Sequence, residues 1–332
     1  MTCDRSQSGS PGHSPLAFTS TVPAHLVHRR SVAEVLIMDW RVLGPNHFEC
    51  AAQWPRGHRV FRTRDGGHDP LLIAETLRQA GILLCHTAYG VPEGARFLMD
   101  RIGFDADPCQ LADVGEPAEV VVRVHAAPPR RTRLLTQVSY DYEFSRSGQH
   151  LARGVGGVRC VAPALYERIR ARATQDAETT TAASPVKPWR VGLTDYGDVA
   201  IGERSGPATV PMRVPMGHPV HFEHPLDHVP GMLVLESIRQ ATRVLLDRPE
   251  AQPIAAKFEF HRFLELDLRS EISALMKRAD GETVTLDISV VQGGQCAAEG
   301  TLVVAGQGSS CSGRRGVGVF TSPVAPILTN WR

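Results

Sequence analysis

Two windows of the chain are apolar on nearly every face of a helical wheel. They are LLIAETLRQAGILL, within residues 70–85, and GMLVLESIRQATRVLL, residues 231–246. A helix with that pattern belongs inside a fold rather than on its surface. Runs with strand character flank both windows. In the first half they fall at 32–38, 118–125, 132–144 and 155–161. In the second they fall at 209–214, 255–263, 269–277, 283–291 and 297–304. Each half therefore reads as one buried helix wrapped by an antiparallel sheet, an α+β arrangement. A further helix at 163–173 (PALYERIRARA) has Pro in its first turn and closes the first half.

The similar order of elements reflects an internal repeat. Pro55-Arg56-Gly57-His58 matches Pro215-Met216-Gly217-His218, and Glu75-x-x-Arg78-Gln79-Ala80 matches Glu236-x-x-Arg239-Gln240-Ala241. The offset grows by one residue between the two matches, as a single insertion in a connecting loop would produce. A tandem duplication follows, with repeats at 25–174 and 190–305. The Ser-, Gly- and Pro-rich residues 1–24 read as a mobile lead-in, 175–189 as a linker, and 306–332 as a loose tail.

Composition narrows the partners more than the fold. Lys and Arg total 36 against 35 Asp and Glu, a net charge of +1. That balance argues against a polybasic nucleic-acid binder. No apolar run approaches the ~20 residues of a membrane helix. The first 25 residues lack the charged start and apolar stretch of a signal peptide. Seven Cys without a C-x-x-C pair form neither a disulfide framework nor a zinc ribbon. A cytoplasmic protein with reduced thiols is expected.

The densest chemistry lies in Asp227-His228-Val229-Pro230-Gly231-Met232, followed by Glu236. A Pro-Gly turn opening a helix leaves its first N–H groups free for an anion or a developing oxyanion. Glu236 lies more than a turn into an apolar helix, where a carboxylate is either paired or functional. Arg239 shares its face at i+3, and a guanidinium suits phosphate. Glu75 and Arg78 repeat this pair in the first half. The bland alternative is that each Glu and Arg simply pair with each other. His218, His221, His224 and His228 invite a metal, but their irregular spacing, broken by Pro219 and Pro225, argues against one. Cys85 reads as a buried structural thiol rather than a nucleophile paired with His86. Gly154-Val155-Gly156-Gly157 precedes no helix and is no dinucleotide fingerprint. The short runs Arg130, Arg131, Arg133 and Arg168, Arg170, Arg172 read as solvated faces or a docking patch for an acidic partner.

The Pro-Gly start and the acid beyond it resemble the hotdog-fold β-hydroxyacyl-ACP dehydratases. A longer set of motifs points to one family. His68-Asp69-Pro70-Leu71 leads into Glu75 and Arg78-Gln79-Ala80, followed by His86, Tyr89-Gly90-Val91-Pro92 and Phe97-Leu98-Met99, with Val27-His28-Arg29 upstream. The second half supplies Pro225-Leu226-Asp227-His228-Val229-Pro230-Gly231-Met232, Glu236 and Arg239-Gln240-Ala241. Over about 25–305 the chain resembles the A-factor biosynthesis family, the AfsA-type tandem hotdog proteins. It departs at His224, where Arg is common.

The resemblance implies a double hotdog that transfers a β-ketoacyl group from acyl carrier protein to the hydroxyl of dihydroxyacetone phosphate. The product would lead to a γ-butyrolactone, butenolide or furan-carboxylate signal. It further implies importance for Glu75, Glu236 and Arg239. Acyl transfer needs a base, oxyanion donors and a phosphate clamp. Glu236, His228 and Glu75 are the catalytic candidates. Gly231, Asp227, Arg239, Arg78 and Gln240 are the substrate-binding ones. No cofactor and no metal are expected. Partners are the carrier protein and the phosphate substrate, with no nucleic acid and no membrane, and assembly into a homodimer stays open. A dehydratase or thioesterase, or a protein that only binds an acyl-lactone signal, is the alternative.

Overall fold

The computed structural model describes residues 15–63, 66–173 and 183–305. The first half opens on a hairpin, β1 (Ile37–Gly44) and β2 (His47–Trp54), turning at Asn46 with φ 58°. Then come α1 (Leu71–Thr87) and β3 (Arg96–Ala106). Strands β4 (Ala118–Ala126), β5 (Arg130–Arg131), β6 (Leu135–Arg146) and β7 (Gln149–Val161) follow. Helix α2 (Pro163–Ala173) ends the half. The second half has β8 (Thr209–Pro211), α3 (Gly231–Leu246), β9 (Pro253–Phe260), β10 (Ser270–Ala279), β11 (Thr283–Gln292) and β12 (Gln295–Ala305).

The strands form one 12-stranded sheet ordered β1-β2-β4-β6-β7-β3-β9-β12-β11-β10-β8, with β5 beside β6. All the pairings are antiparallel. The two halves join where β3 meets β9, in register from Arg101 opposite Glu259 to Asp105 opposite Ala255. The sheet wraps both long helices, and Leu72, Ile73, Leu77, Leu83 and Leu84 of α1 are sealed from solvent. This is the expected tandem hotdog, with the two sheets fused.

Several expectations shift. The run at 32–38 is a 3-10 turn, Val32–Glu34, leading into β1, and the run at 209–214 contracts to β8. Strand β3 was hidden because Asp100 and Arg101 interrupt its apolar pattern. A register shift between Met99 and Arg101 accommodates them, and Asp100 finds an ion-pair partner in Arg159. Hairpin β1–β2 was hidden by its mixed pattern, in which Glu49 is buried beside Arg41. Val22, within the expected lead-in, is buried and donates its N–H to Ile37 O. Val186, within the expected linker, is also buried. The 306–332 tail lies outside the described residues. Among the described residues no helix is long and apolar enough to cross a membrane.

The duplication is legible bond by bond. His58 Nδ1 accepts the N–H groups of Val60 and Phe61, and His218 Nδ1 those of Val220 and His221. Their Nε2 atoms lie 3.2 Å from Glu34 and 3.2 Å from Asp198. Gln79 accepts Leu36 N–H and donates to Glu34 O and Glu75. Gln240 accepts Ala200 N–H and donates to Asp198 O and Glu236. The shared motifs therefore anchor each central helix to the turn before the sheet.

Candidate active site

A cavity of about 280 Å³ opens between the halves. One wall is α1, through Leu77, Arg78, Gly81 and Ile82. The floor comes from Phe97, Leu98, Met99, Arg101 and Ile102 on β3, Tyr140 and Tyr142 on β6, and Gly156 and Gly157 on β7. The second half adds His221, His224, His228 and the start of α3 at Pro230–Met232. Glycine makes this room. A Cβ on Gly81 would sit 2.9 Å from Tyr142 Oη, and one on Gly156 would sit 3.3 Å from the Tyr142 ring. The two tyrosines are tied down, with Tyr140 Oη donating to Gly81 O at 3.2 Å and Tyr142 Oη to Leu77 O at 3.2 Å. Beside its histidines and arginines the lining has an apolar stretch, Leu77, Ile82, Ile102, Val158 and Phe260, that suits an acyl chain.

His228 stands at the mouth beside the start of α3. Its Nδ1 is 2.7 Å from Asp227 Oδ1. A carboxylate only accepts, so Nδ1 carries the proton and Nε2 presents a lone pair. Nε2 has no partner among the described residues. Helix α2 holds this pair in place. Tyr166 Oη donates to Asp227 at 2.7 and 2.9 Å, and Arg170 reaches Asp227 O at 2.6 Å while pairing with Glu265. Burial lowers the His228 pKa from its ordinary 6.5, against the pull of Asp227, so the ring is neutral at pH 7. Burial would raise Asp227, but hydrogen bonds from His228 and Tyr166 outweigh it and hold that carboxylate low. At the start of α3, Leu233 and Val234 donate to Pro230 O. The N–H groups of Gly231 and Met232 have no partner among the described residues.

The two repeat glutamates sit in different surroundings. Glu75 is buried and receives Arg29, Arg78 and Gln79. Burial would raise its pKa, but the two guanidinium groups hold the carboxyl well below the usual range. Arg29 also bonds Val220 O and pairs with Glu223 at 3.3 Å, tying the halves together. Glu236 receives Gln240 and Arg239, and Arg239 also contacts Asp69. Burial pushes the Glu236 carboxyl up to about 7 and works against charge on Arg239 too. A guanidinium titrates far above a carboxyl, so Glu236 takes the proton first and Arg239 stays charged against the Asp69 carboxylate.

Of the residues singled out in sequence, His228, Gly231 and Arg78 line the cavity. Glu75, Glu236, Arg239, Gln240 and Asp227 do not. The expectation that Arg239 clamps phosphate is corrected by its contacts, because Asp69 and Glu236 already occupy it in the interior. Gln240 is fully engaged with backbone and Glu236, and Asp227 acts on His228 rather than on the cavity. Arg170, read as part of a solvated face, is an internal brace. Cys85 is buried against Tyr140 and Cys160, at 3.2 and 3.7 Å. Among the described residues His261, Cys296 and Glu299 bring ligand atoms within 4.8 Å of one another, and none of the three lines the cavity.

Sequence reasoning passed over the chemistry of His28. It lines the cavity with φ 53°, a left-handed conformation that favours glycine. The corresponding turn of the second half has Gly192 there, φ 71°. Arg29 N–H closes on Ala24 O as Leu193 N–H closes on Pro188 O. A histidine kept where the twin has glycine was the available signal. His28 Nε2 lies 3.0 Å from His86 Nε2, and His86 Nδ1 2.8 Å from Val91 O. Burial and the nearby Arg78 lower the His28 pKa to about 3.

A duplicated hotdog with a cavity at the junction of the halves is the class that fold and site define. A family model for the A-factor biosynthesis hotdog domain (AfsA) matches residues 13–162 and again 174–305, and the chain belongs to this family. It is 38% identical over 250 residues to a 2-oxo-3-(phosphooxy)propyl 3-oxoalkanoate synthase of Streptomyces virginiae, covering 75% of this chain and 85% of that one. It is 32% identical over 277 residues to a synthase of the same name from Streptomyces griseus, covering 82% and 92%. A solved structure described as a putative oleoyl thioesterase from Lactobacillus plantarum aligns with TM-score 0.48 at 14% identity, covering 81% of this chain and 99% of that one.

Proposed function

We propose that the chain is an acyltransferase that joins a 3-oxoacyl group, delivered as a carrier-protein thioester, to the hydroxyl of dihydroxyacetone phosphate. The name shared by the relatives describes the resulting phosphorylated ester. The observation that carries the mechanism is His228, with Nδ1–H on Asp227 and Nε2 open at the cavity mouth. Nε2 takes the hydroxyl proton as the oxygen attacks the thioester carbonyl. The free N–H groups of Gly231 and Met232 hold the oxyanion in this reading. Collapse breaks the C–S bond, and the departing thiolate takes the proton back from His228. The apolar slot beneath α1 receives the acyl chain. Such a role belongs in the cytoplasm, where carrier-bound thioesters are made, and the ester is a precursor of a butenolide-type or furan signal.

The test is purified protein with 3-oxoacyl thioesters of several lengths and dihydroxyacetone phosphate, read by mass spectrometry. The phosphorylated ester is expected, and His228→Gln should lower its rate by roughly 10²–10⁴-fold with folding unchanged. Free 3-oxo acid without ester would make the chain a thioesterase. No acyl product at any length would sink the enzyme reading.

A further inference from the structure

The two repeats place the same guanidinium in two different situations. In the second half, Arg239 uses Nη2 for Glu236 and Nη1 for Asp69. Asp69 is wholly buried and also accepts Leu71 N–H, at the start of α1, at 2.8 Å. A carboxylate from one half thus sits between a central-helix arginine of the other half and the start of its own helix. In the first half, Arg78 uses Nε and Nη2 for Glu75, at 2.9 and 2.7 Å. Its Nη1 has no partner among the described residues, and the side chain faces the cavity together with Gly231 and Met232 at the start of α3. The residues before α3 are His228-Val229-Pro230, whereas those before α1 are His68-Asp69-Pro70. Val229 stands where the first half has Asp69, so Arg78 contacts Glu75 but no second carboxylate among the described residues. Arg101 lines the same cavity, and its buried Nε also lacks a partner.

We propose that this duplication has one open anion subsite and one closed twin. In the open subsite, Arg78 Nη1 holds an oxyanion of the substrate, a phosphate monoester if the acyl-transfer reading above is right. In the twin, Asp69 supplies that anion from within the chain and seals the place against ligand. The inference rests on the reading above only for which oxyanion is taken. The physical basis is general: a guanidinium facing a low-dielectric cavity recruits an anion, and an internal carboxylate removes that demand.

Isothermal titration with inorganic phosphate and with dihydroxyacetone phosphate, without acyl donor, tests it. The wild-type chain should bind one anion. Arg78→Met should weaken binding at least tenfold, and Arg78→Lys should restore part of it. Asp69→Gly should bind two anions per chain, because Arg239 Nη1 then loses its carboxylate. Where Asp69→Gly does not fold, Asp69→Asn, which keeps the acceptor for Leu71 N–H, should gain more thermal stability from phosphate than the wild type does. Binding that ignores Arg78→Met but falls with Arg101→Met would overturn the placement. A count that stays at one for Asp69→Gly, or an Asn variant with no extra gain, would overturn the sealed twin. Anion binding that depends on Arg78 in a chain making no ester would leave this inference standing and remove the acyl-transfer reading alone.

Discussion

His228 and the glutamates show how burial sorts identical side-chain types into different work. His228 is kept neutral and oriented by Asp227, so turnover should fall on the acid side as the ring protonates. Its pKa is lowered from 6.5, so that limb of a kcat/KM profile should lie below pH 6.5. A limb above that value would assign the base elsewhere. Glu75 and Glu236 occupy the same repeat position yet respond oppositely. The folded-state pKa of Glu75 is depressed, so its stabilisation is present above the ordinary carboxylate range and lost only in strong acid. Glu75→Gln leaves Arg29 and Arg78 without their shared carboxylate and should cost about 3–5 kcal/mol in denaturant unfolding. The folded-state pKa of Glu236 is raised from 4.5 to about 7, so the native state binds the extra proton and its stability declines as pH rises across that window. Glu236→Gln should flatten that decline, and an unchanged stability profile would refute the buried-acid account. The sequence showed that both acids are buried in apolar helices. It did not show that Arg29 comes from 46 residues upstream of Glu75, or that Asp69 crosses over to Arg239. Those partners are brought together only by packing.

At the scale of elements, two features set what the site can hold. Helix α2 closes the first half in sequence, and in the fold it braces the Asp227–His228 pair through Tyr166 and Arg170. The slot under α1 is kept open by glycine opposite tyrosine. Gly81→Ala should shift the preferred acyl donor to shorter chains in a competition assay, because the new Cβ meets Tyr142 Oη at 2.9 Å. An unchanged length preference would place the acyl chain elsewhere. Gly103 marks the β3–β9 seam, where a Cβ would lie 2.8 Å from Ala256 O. Backbone cannot swing aside as a side chain can, so Gly103→Ala should lower Tm by several degrees, on the order of 1–3 kcal/mol for an overpacked site. Strand β3 escaped the hydrophobic pattern because the alternation breaks at its bulge, and alternation is the signal by which a half-buried strand is recognised.

The whole molecule behaves as a fused pair. Seam β3–β9, the Arg29–Glu223 pair and the Asp69–Arg239 contact all cross between halves. Residues 15–173 and 183–305 produced as separate chains each expose a strand edge at the seam and should aggregate alone. Co-expressed, they should recover a soluble, active pair, and full activity from either half alone would contradict a shared site. By itself the sequence determined the duplication, the two buried helices, the hotdog class and the region before α3 that carries His228. Those properties are local: helical periodicity, a repeated motif and a Pro-Gly start are written in neighbouring residues. Tertiary structure alone decided that the two sheets are one, that a cavity lies at the junction, and that Arg78 faces it while Arg239 is spent on Asp69. Those depend on contacts between residues far apart in the chain, where burial and the nearest opposite charge settle what an ionisable side chain is free to do.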